Sequence, residues 1–394
     1  MTDRQKRAWN RALRPDTIAF FVVIIAVAGA LLITLAVVAG RSKGVRTAAT
    51  KFQFSTATER SLDAALDKWM STSGAPGAVV GIWAPGKGTW VRARGVADIK
   101  THEPMAEGDE VRIASVTKSF VGTVVLQLAD EKKLSLDDTL DKYVPSVPNG
   151  GAITIRQMLN QTSGVFDFLN DPVFQQAAAQ NPLMKWKPSD LLASALDNKP
   201  AFAPGTGWGY SNSNFVLLGM IVEKVTGQTI GREITRRVIT PLRLTRTSYP
   251  SGPELPGRYS NGYEPVTGGL VEASAIDPSV GGASSAMISD LEDLKTWSEA
   301  LGTGALISEQ AQKDRLTTVP TDRADTRYGL ALMKVGDWIG HEGNAYGYST
   351  AVFYNPLRRT SIVVIINSET AGQPLATSAF KQFAGIVFPG SVPQ

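Results

Sequence analysis

A serine and a lysine three residues apart, Ser115 and Lys118, stand at the head of an apolar stretch. Apolar residues recur from Val116 to Leu128 in the pattern of a largely buried helix. Ser115 falls at its start, where serine is favoured. Lys118, one turn on, shares that face, so its amine can reach the hydroxyl. A free serine is a weak nucleophile, and an adjacent base or a lysine of lowered pKa activates it. The partial positive charge of a helix start also favours an oxyanion there. The chemistry suggested is acyl transfer through a serine. The same spacing recurs at Ser378 and Lys381, in a stretch read as an amphipathic surface helix with a solvated lysine.

A second constellation runs from Pro204 to Asn212 and contains Tyr210 and Asn212. In extended backbone the two side chains face one cleft, where a phenol exchanges protons and an amide binds a carbonyl. Tyr259-Ser260-Asn261 repeats the tripeptide, but the first copy has glycines and a proline to fix its loop and an apolar helix after it. The third constellation is Gly340-His341-Glu342-Gly343-Asn344, at the end of a predicted strand. His341 there can set a donor and a backbone N–H beside a substrate. His102, the other histidine, sits in a polar turn. Two histidines and no cysteine argue against a zinc site, and no glycine-rich phosphate loop is present, so neither metal nor cofactor is expected.

These residues need elements to hold them. An amphipathic helix is expected from Arg60 to Met70, then a β-hairpin of Ala78–Trp83 and Thr89–Ala93 around Pro85–Gly88. Further helices are expected from Ile153, over Phe215–Val225, and after a capping box at Ser289. Residues 250–285, rich in Gly, Pro and Ser, read as a loop lining a cleft. Strands return at Tyr328–Val335, Trp338–His341, Tyr348–Tyr354 and Thr360–Asn367, and a helix near Leu375–Ile386 closes the chain. The expected architecture is α/β (α+β): an antiparallel sheet flanked by helices, with an inserted all-helical lobe. The sheet lobe takes residues 58–112 and 300–394, and the helical lobe 113–299.

Ile18–Ala39 holds 22 residues without a charge, about 33 Å as a helix and enough to span a bilayer. This exceeds the apolar core of a signal peptide, so an uncleaved anchor is favoured over a cleaved signal. Residues 1–16 are then a basic cytoplasmic terminus, 17–40 a transmembrane anchor, 41–57 a tether and 58–394 an extracytoplasmic domain. The charge bias is small, five basic residues before the span against four after it. Of 40 basic and 36 acidic residues, nine and two lie in 1–51, a net of +7. The remaining 31 and 34 give residues 52–394 a net of −3, with no basic stripe for nucleic acid.

In this order, the three motifs resemble the serine β-lactamase and penicillin-binding family, most closely its class C β-lactamase, D-alanyl-D-alanine carboxypeptidase and esterase branch. Ser115-Val116-Thr117-Lys118 matches the Ser-x-x-Lys motif, Tyr210-Ser211-Asn212 the Tyr-x-Asn motif, and His341-Glu342-Gly343 the His-x-Gly form of the third. The resemblance covers about residues 58–388. It implies a β-lactamase-like fold and acylation of Ser115, with Lys118 and Tyr210 sharing its proton. It also implies an oxyanion hole from the N–H groups of Ser115 and Asn344, with Asn212 holding the substrate. Which of Lys118 and Tyr210 is the base stays open.

Two departures bear on substrate. Lys-Thr-Gly in many β-lactam-binding relatives becomes His-Glu-Gly here, so a permanent cation gives way to a histidine charged only part of the time near neutral pH. A Glu342 facing the cleft repels an anionic penicillin or D-Ala terminus; facing away, it does not. Gln161 holds a loop position usually occupied by histidine. The expectation is a membrane-anchored serine hydrolase acting on D-amino-acid peptides of the cell wall or on esters. The alternatives are a weakly catalytic peptidoglycan-peptide-binding protein and a β-lactamase.

Overall fold

Ser55 starts the first helix by accepting a hydrogen bond from the Thr58 N–H at 3.1 Å, and Gly74 ends it in the left-handed conformation. This helix, α1 (Thr56–Ser73), begins four residues before the expected Arg60, inside the stretch read as tether. Its apolar face of Leu62, Ala65, Leu66 and Trp69 is buried, as the spacing predicts. The computed structural model describes residues 53–145, 147–370 and 374–393. The expected anchor lies outside the described residues, and no helix among them is long and apolar enough to cross a membrane.

The hairpin follows as β1 (Gly77–Ala84) and β2 (Gly88–Asp98), with a short β3 (Glu103–Pro104) beside it. The apolar stretch after Ser115 forms α2 (Thr117–Asp130), with every residue from Thr117 to Leu126 buried. Burial of each large apolar side chain contributes about 1.5–3 kcal/mol, so this helix is anchored by its whole circumference. The second apolar helix is α3 (Ser213–Thr226), ended by Gly227 in the left-handed region. Next is α4 (Leu291–Thr303), capped by Asp290 and not by the expected Ser289: the Asp290 side chain accepts from the Asp293 N–H at 2.9 Å.

The chain then builds β4 (Val319–Pro320), β5 (Thr326–Tyr328), β6 (Met333–Val335), β7 (Trp338–Ala345), β8 (Tyr348–Asn355) and β9 (Thr360–Ile366), and closes with α5 (Leu375–Val387). The single strand expected over Tyr328–Val335 is two, interrupted at Ala331, which has φ 56°. Among the described residues the strands make one antiparallel sheet in the order β3-β2-β1-β9-β8-β7-β6-β5-β4. Residues from both ends of the domain meet at its centre, where β1 pairs with β9.

One apolar cluster fills the space between the sheet and α2, α3 and α4; another lies on the opposite face, under α1 and α5. The helix α4 therefore belongs to the sheet's layer, with Ser298 donating to Ser361 of β9 at 2.7 Å, although the expected lobe boundary at 300 cuts through it. The stretch 250–285 also differs from a plain loop: Tyr263–Val266 and Gly269–Glu272 pair as a hairpin. Ser378 and Lys381 sit on α5, which packs against the sheet, and Lys381 pairs with Asp325 instead of standing free in water.

Candidate active site

Ser115 lies in a 3-10 turn, Ala114–Val116, that leads into α2, and it makes no capping bond to that helix. Ala114 before it has φ 45°, a left-handed conformation that costs a non-glycine residue about 1–2 kcal/mol. Strands on both sides hold the turn. Val111–Arg112 pairs with Ile288–Ser289, and the Ile113 N–H donates to the Met287 carbonyl at 3.0 Å. On the other side Gly343 of β7 approaches so closely that a Cβ there would stand 2.3 Å from the Ile113 carbonyl oxygen. Only glycine fits that contact.

The Lys118 amine, fully buried, donates to Ser115 Oγ at 2.9 Å, Asn212 Oδ1 at 2.7 Å and the Ser284 carbonyl at 3.1 Å. Its Nζ also lies 4.8 Å from the centre of the Tyr210 ring, whose hydroxyl hydrogen-bonds Ser115. The first two motifs thus meet around one hydroxyl. Burial, which penalises the charged form, lowers the Lys118 ammonium to about 7, while Asp167 pulls the other way. Burial pushes the Tyr210 phenol above its ordinary value, against the Ser115 hydrogen bond. Near neutral pH, Lys118 is therefore the member of the pair poised to exchange a proton.

The third motif arrives differently from expectation. His341 is 1% exposed, with Nδ1 at 2.6 Å from the Glu342 carbonyl and Nε2 at 2.8 Å from the Tyr328 hydroxyl. A carbonyl only accepts, so the proton sits on Nδ1 and Tyr328 donates to Nε2. Burial lowers the imidazolium to about 3, with Lys118 adding to the effect. His341 is thus a neutral group with both nitrogens engaged, not a part-time cation offered to a substrate. Glu342, on the other face of β7, meets Arg323 at 2.9 Å and accepts from Thr377 of α5 at 2.6 Å. Its charge is matched by Arg323 on the face of β7 opposite His341, which weakens the objection it raised to anionic substrates, although its field reaches the Tyr210 phenol.

Asn344 supplies a backbone group instead. Val335 and Trp338 flank a two-residue turn, as do Ala345 and Tyr348. Pairs that close such turns exchange both hydrogen bonds. By alternation, the Trp338, Gly340, Glu342 and Asn344 backbone groups point toward β6, which pairs with β7 only as far as Gly340. The Asn344 N–H is left facing the open edge beside the Ser115 turn, and its side chain donates to the Thr370 carbonyl at 3.0 Å.

Sequence reading missed or left open several residues that hold this arrangement. Asp167 accepts from Asn212 Nδ2 at 2.9 Å; its signal was an acid set between Phe166 and Phe168. Gln161 Oε1 accepts from the Ser211 N–H at 3.0 Å and Asn214 Nδ2 at 2.6 Å, and its carbonyl accepts from the Gly209 N–H, so it clamps the Tyr210 loop. Tyr328 packs edge-on against both Tyr210 and His341. The second tripeptide is not part of the site: Tyr259 is exposed, and the Asn261 N–H bonds the Ala97 carbonyl. A groove of about 1230 Å³ against α3, lined by Trp186, Met220, Ile230 and Tyr249, contains none of the motif residues.

A family model described as beta-lactamase matches residues 62–383. The chain belongs to the β-lactamase family. A D-stereospecific amidohydrolase from Streptomyces is 33% identical with a TM-score of 0.75, over 85% of this chain and 99% of that one. Protein flp of Staphylococcus aureus is 27% identical over 321 residues, 78% of this chain and 63% of that protein. A D-aminopeptidase of Cereibacter sphaeroides is 27% identical over 328 residues, 80% of this chain and 61% of the relative. The chain thus spans less than two thirds of the length of these two curated relatives. It has the β-lactamase fold.

Proposed function

We propose that this β-lactamase-family protein cleaves amide bonds next to D-amino acids, in small amides or cell-wall-type peptides, through an acyl-enzyme on Ser115. The observation that carries the reading is the buried Lys118 amine at 2.9 Å from Ser115 Oγ, lowered by burial to about 7. Ser115 Oγ attacks the substrate carbonyl and its proton passes to Lys118 Nζ, while the carbonyl electron pair moves onto the oxygen. The N–H groups of Ser115 and Asn344 receive that oxyanion, each donor being worth about 2.7–4 kcal/mol in such sites. As the tetrahedral centre collapses, the leaving amine takes a proton from the Lys118–Tyr210 pair. Water attacks the ester in the second half-reaction, with the same groups acting in reverse. Asn212 holds the substrate's amide side, and the neutral His341 shapes β7 without adding charge. Glu342 matches Arg323 on the face of β7 opposite His341.

Similarity to a D-stereospecific amidohydrolase and a D-aminopeptidase supports the D-amino-acid side of the reading. Efficient β-lactam turnover is disfavoured, because the third motif carries no cation for the β-lactam carboxylate: His341 is neutral and Arg323 is engaged by Glu342. The charge-free stretch Ile18–Ala39 supports an anchor, with the hydrolase domain outside the cytoplasm. The test is hydrolysis of D- and L-phenylalanine amide, a D-alanyl-D-alanine peptide, a p-nitrophenyl ester and nitrocefin by the full-length chain. Preference for the D-amide or D-peptide is expected; equal rates for both enantiomers, or turnover of nitrocefin alone, would overturn the substrate assignment.

A further inference from the structure

Lys118 has three neighbours within hydrogen-bonding reach, and two of them, Asn212 Oδ1 and the Ser284 carbonyl, can only accept. The third, Ser115 Oγ, can accept or donate. A neutral amine keeps two N–H bonds and one lone pair. With its N–H bonds on the two oxygens, the lone pair points at Ser115, as a base requires. This geometry holds only while Asn212 presents its oxygen, and not its amino group, to the lysine. A flipped amide would set two donors face to face.

Asp167 decides the orientation. Its Oδ2 accepts from Asn212 Nδ2 at 2.9 Å and its Oδ1 from the Asn212 backbone N–H at 3.1 Å. Burial raises the Asp167 carboxyl, while the hydrogen bonds from Asn212 and Leu169 and the charge on Lys118 favour its ionised form; a carboxylate offers no proton to an amide oxygen, so the amino end faces it. Asn212 occupies the N-cap position of α3, where an asparagine side chain commonly bonds the helix N–H groups. Here it makes no cap bond: its oxygen faces Lys118 and one of its two amino hydrogens faces Asp167, leaving the second hydrogen for a substrate. Asp167 is fixed in turn by the Leu169 N–H at 3.2 Å.

We infer that Asp167 is a positioning residue: its carboxylate holds the Asn212 amide with the oxygen toward Lys118, and so aims the lysine lone pair at Ser115. This rests on the serine-hydrolase reading above. Asp167 acts through Asn212 and touches neither Ser115 nor the reacting carbonyl. The titratable groups facing Lys118 are Asp167 from the turn before Phe168, Tyr210 from the loop before α3 and His341 from β7, the last neutral.

The test is a double-mutant cycle of Asp167→Asn and Asn212→Ala, with Asp167→Glu as the conservative variant, read by kcat, KM and pH profile. Asp167→Asn offers a donor to the Asn212 oxygen and permits the flip. Expected are a fall in kcat of about 100-fold, the lower range of general-base catalysis, a KM little changed, and an acid limb displaced to lower pH. Asp167→Glu should recover part of kcat. In the Asn212→Ala background, Asp167→Asn should change kcat by no more than about twofold. Equal losses in both backgrounds, a raised KM and an unmoved acid limb would identify a loop-holding role and overturn the inference. If Asp167→Asn does not fold, Asp167→Ser takes its place in the cycle. Fluorophosphonate labelling of wild-type Ser115 keeps the two readings apart: without it the hydrolase reading fails, and with it an additive cycle defeats this inference alone.

Discussion

Replacing His341 with glutamine should flatten the acid limb of the protein's stability curve. The imidazole is 1% exposed, its proton fixed on Nδ1 by the Glu342 carbonyl and its Nε2 lone pair filled by the Tyr328 hydroxyl. A second proton on Nε2 would force the Tyr328 hydroxyl to turn from donor to acceptor, and burial lowers the group from 6.5 to about 3. An unfolded chain takes up that proton near 6.5, so between 6.5 and about 3 the unfolded state binds more protons than the folded one. Stability is therefore full above 6.5 and falls as pH drops, by about 1.4 kcal/mol for each unit. From pH 6.5 to 4.5 this amounts to about 2.7 kcal/mol. Glutamine can accept from Tyr328 and does not titrate. It adds a packing cost, which is independent of pH. Urea unfolding of both proteins at steps between pH 4.5 and 7.5 should give a stability difference that shrinks or reverses by about 2.7 kcal/mol toward acid. A difference constant across the range would refute a buried neutral His341.

Three further outcomes follow from the site. The kcat/KM profile should rise with pH through about 7, because Lys118 must lose its proton to act as base; Tyr210→Phe should lower kcat and leave that limb in place, whereas loss of the limb would assign it to the tyrosine. Gly343→Ala should cost about 1–3 kcal/mol and most of the activity, since the added methyl meets the Ile113 carbonyl at 2.3 Å and drives β7 from the Ser115 turn; thermal melting and kcat measured together check this. Glu342→Gln should leave kcat within about twofold and cost about 1 kcal/mol by urea unfolding, as the loss of a half-buried ion pair with Arg323; a large kcat loss would mean that Glu342 serves the chemistry.

The meeting of Ser115, Lys118 and the Tyr-x-Asn loop was legible because each rests on local signals: a buried periodic helix after Ser115, and glycines and a proline before Tyr210. The longer strands β1, β2, β7, β8 and β9 were legible for the same reason, as alternating or continuous apolar runs between turns, whereas the two-residue strands β3 and β4 at the sheet's edges were not. Strand boundaries failed where tertiary contacts decide. Ala331 breaks the Tyr328–Val335 run by bonding its N–H to the Leu159 carbonyl, a partner some 170 residues away that no local pattern announces. His341 was misread as a part-time cation for a similar reason. Its protonation depends on Tyr328 across the sheet edge, which sequence spacing does not bring to mind. Asp167 and Gln161 act through Asn212 and Ser211, and a residue that serves another residue leaves little trace in composition or periodicity.

The most direct measurement of the central claim is intact-mass analysis of the full-length chain mixed with a D-amino-acid ester and with a fluorophosphonate, beside Ser115→Ala. The account predicts one acyl or phosphonyl adduct per chain, mapped to Ser115 by peptide sequencing and absent from the variant. An adduct on another residue, or turnover of the ester that survives Ser115→Ala, would contradict it.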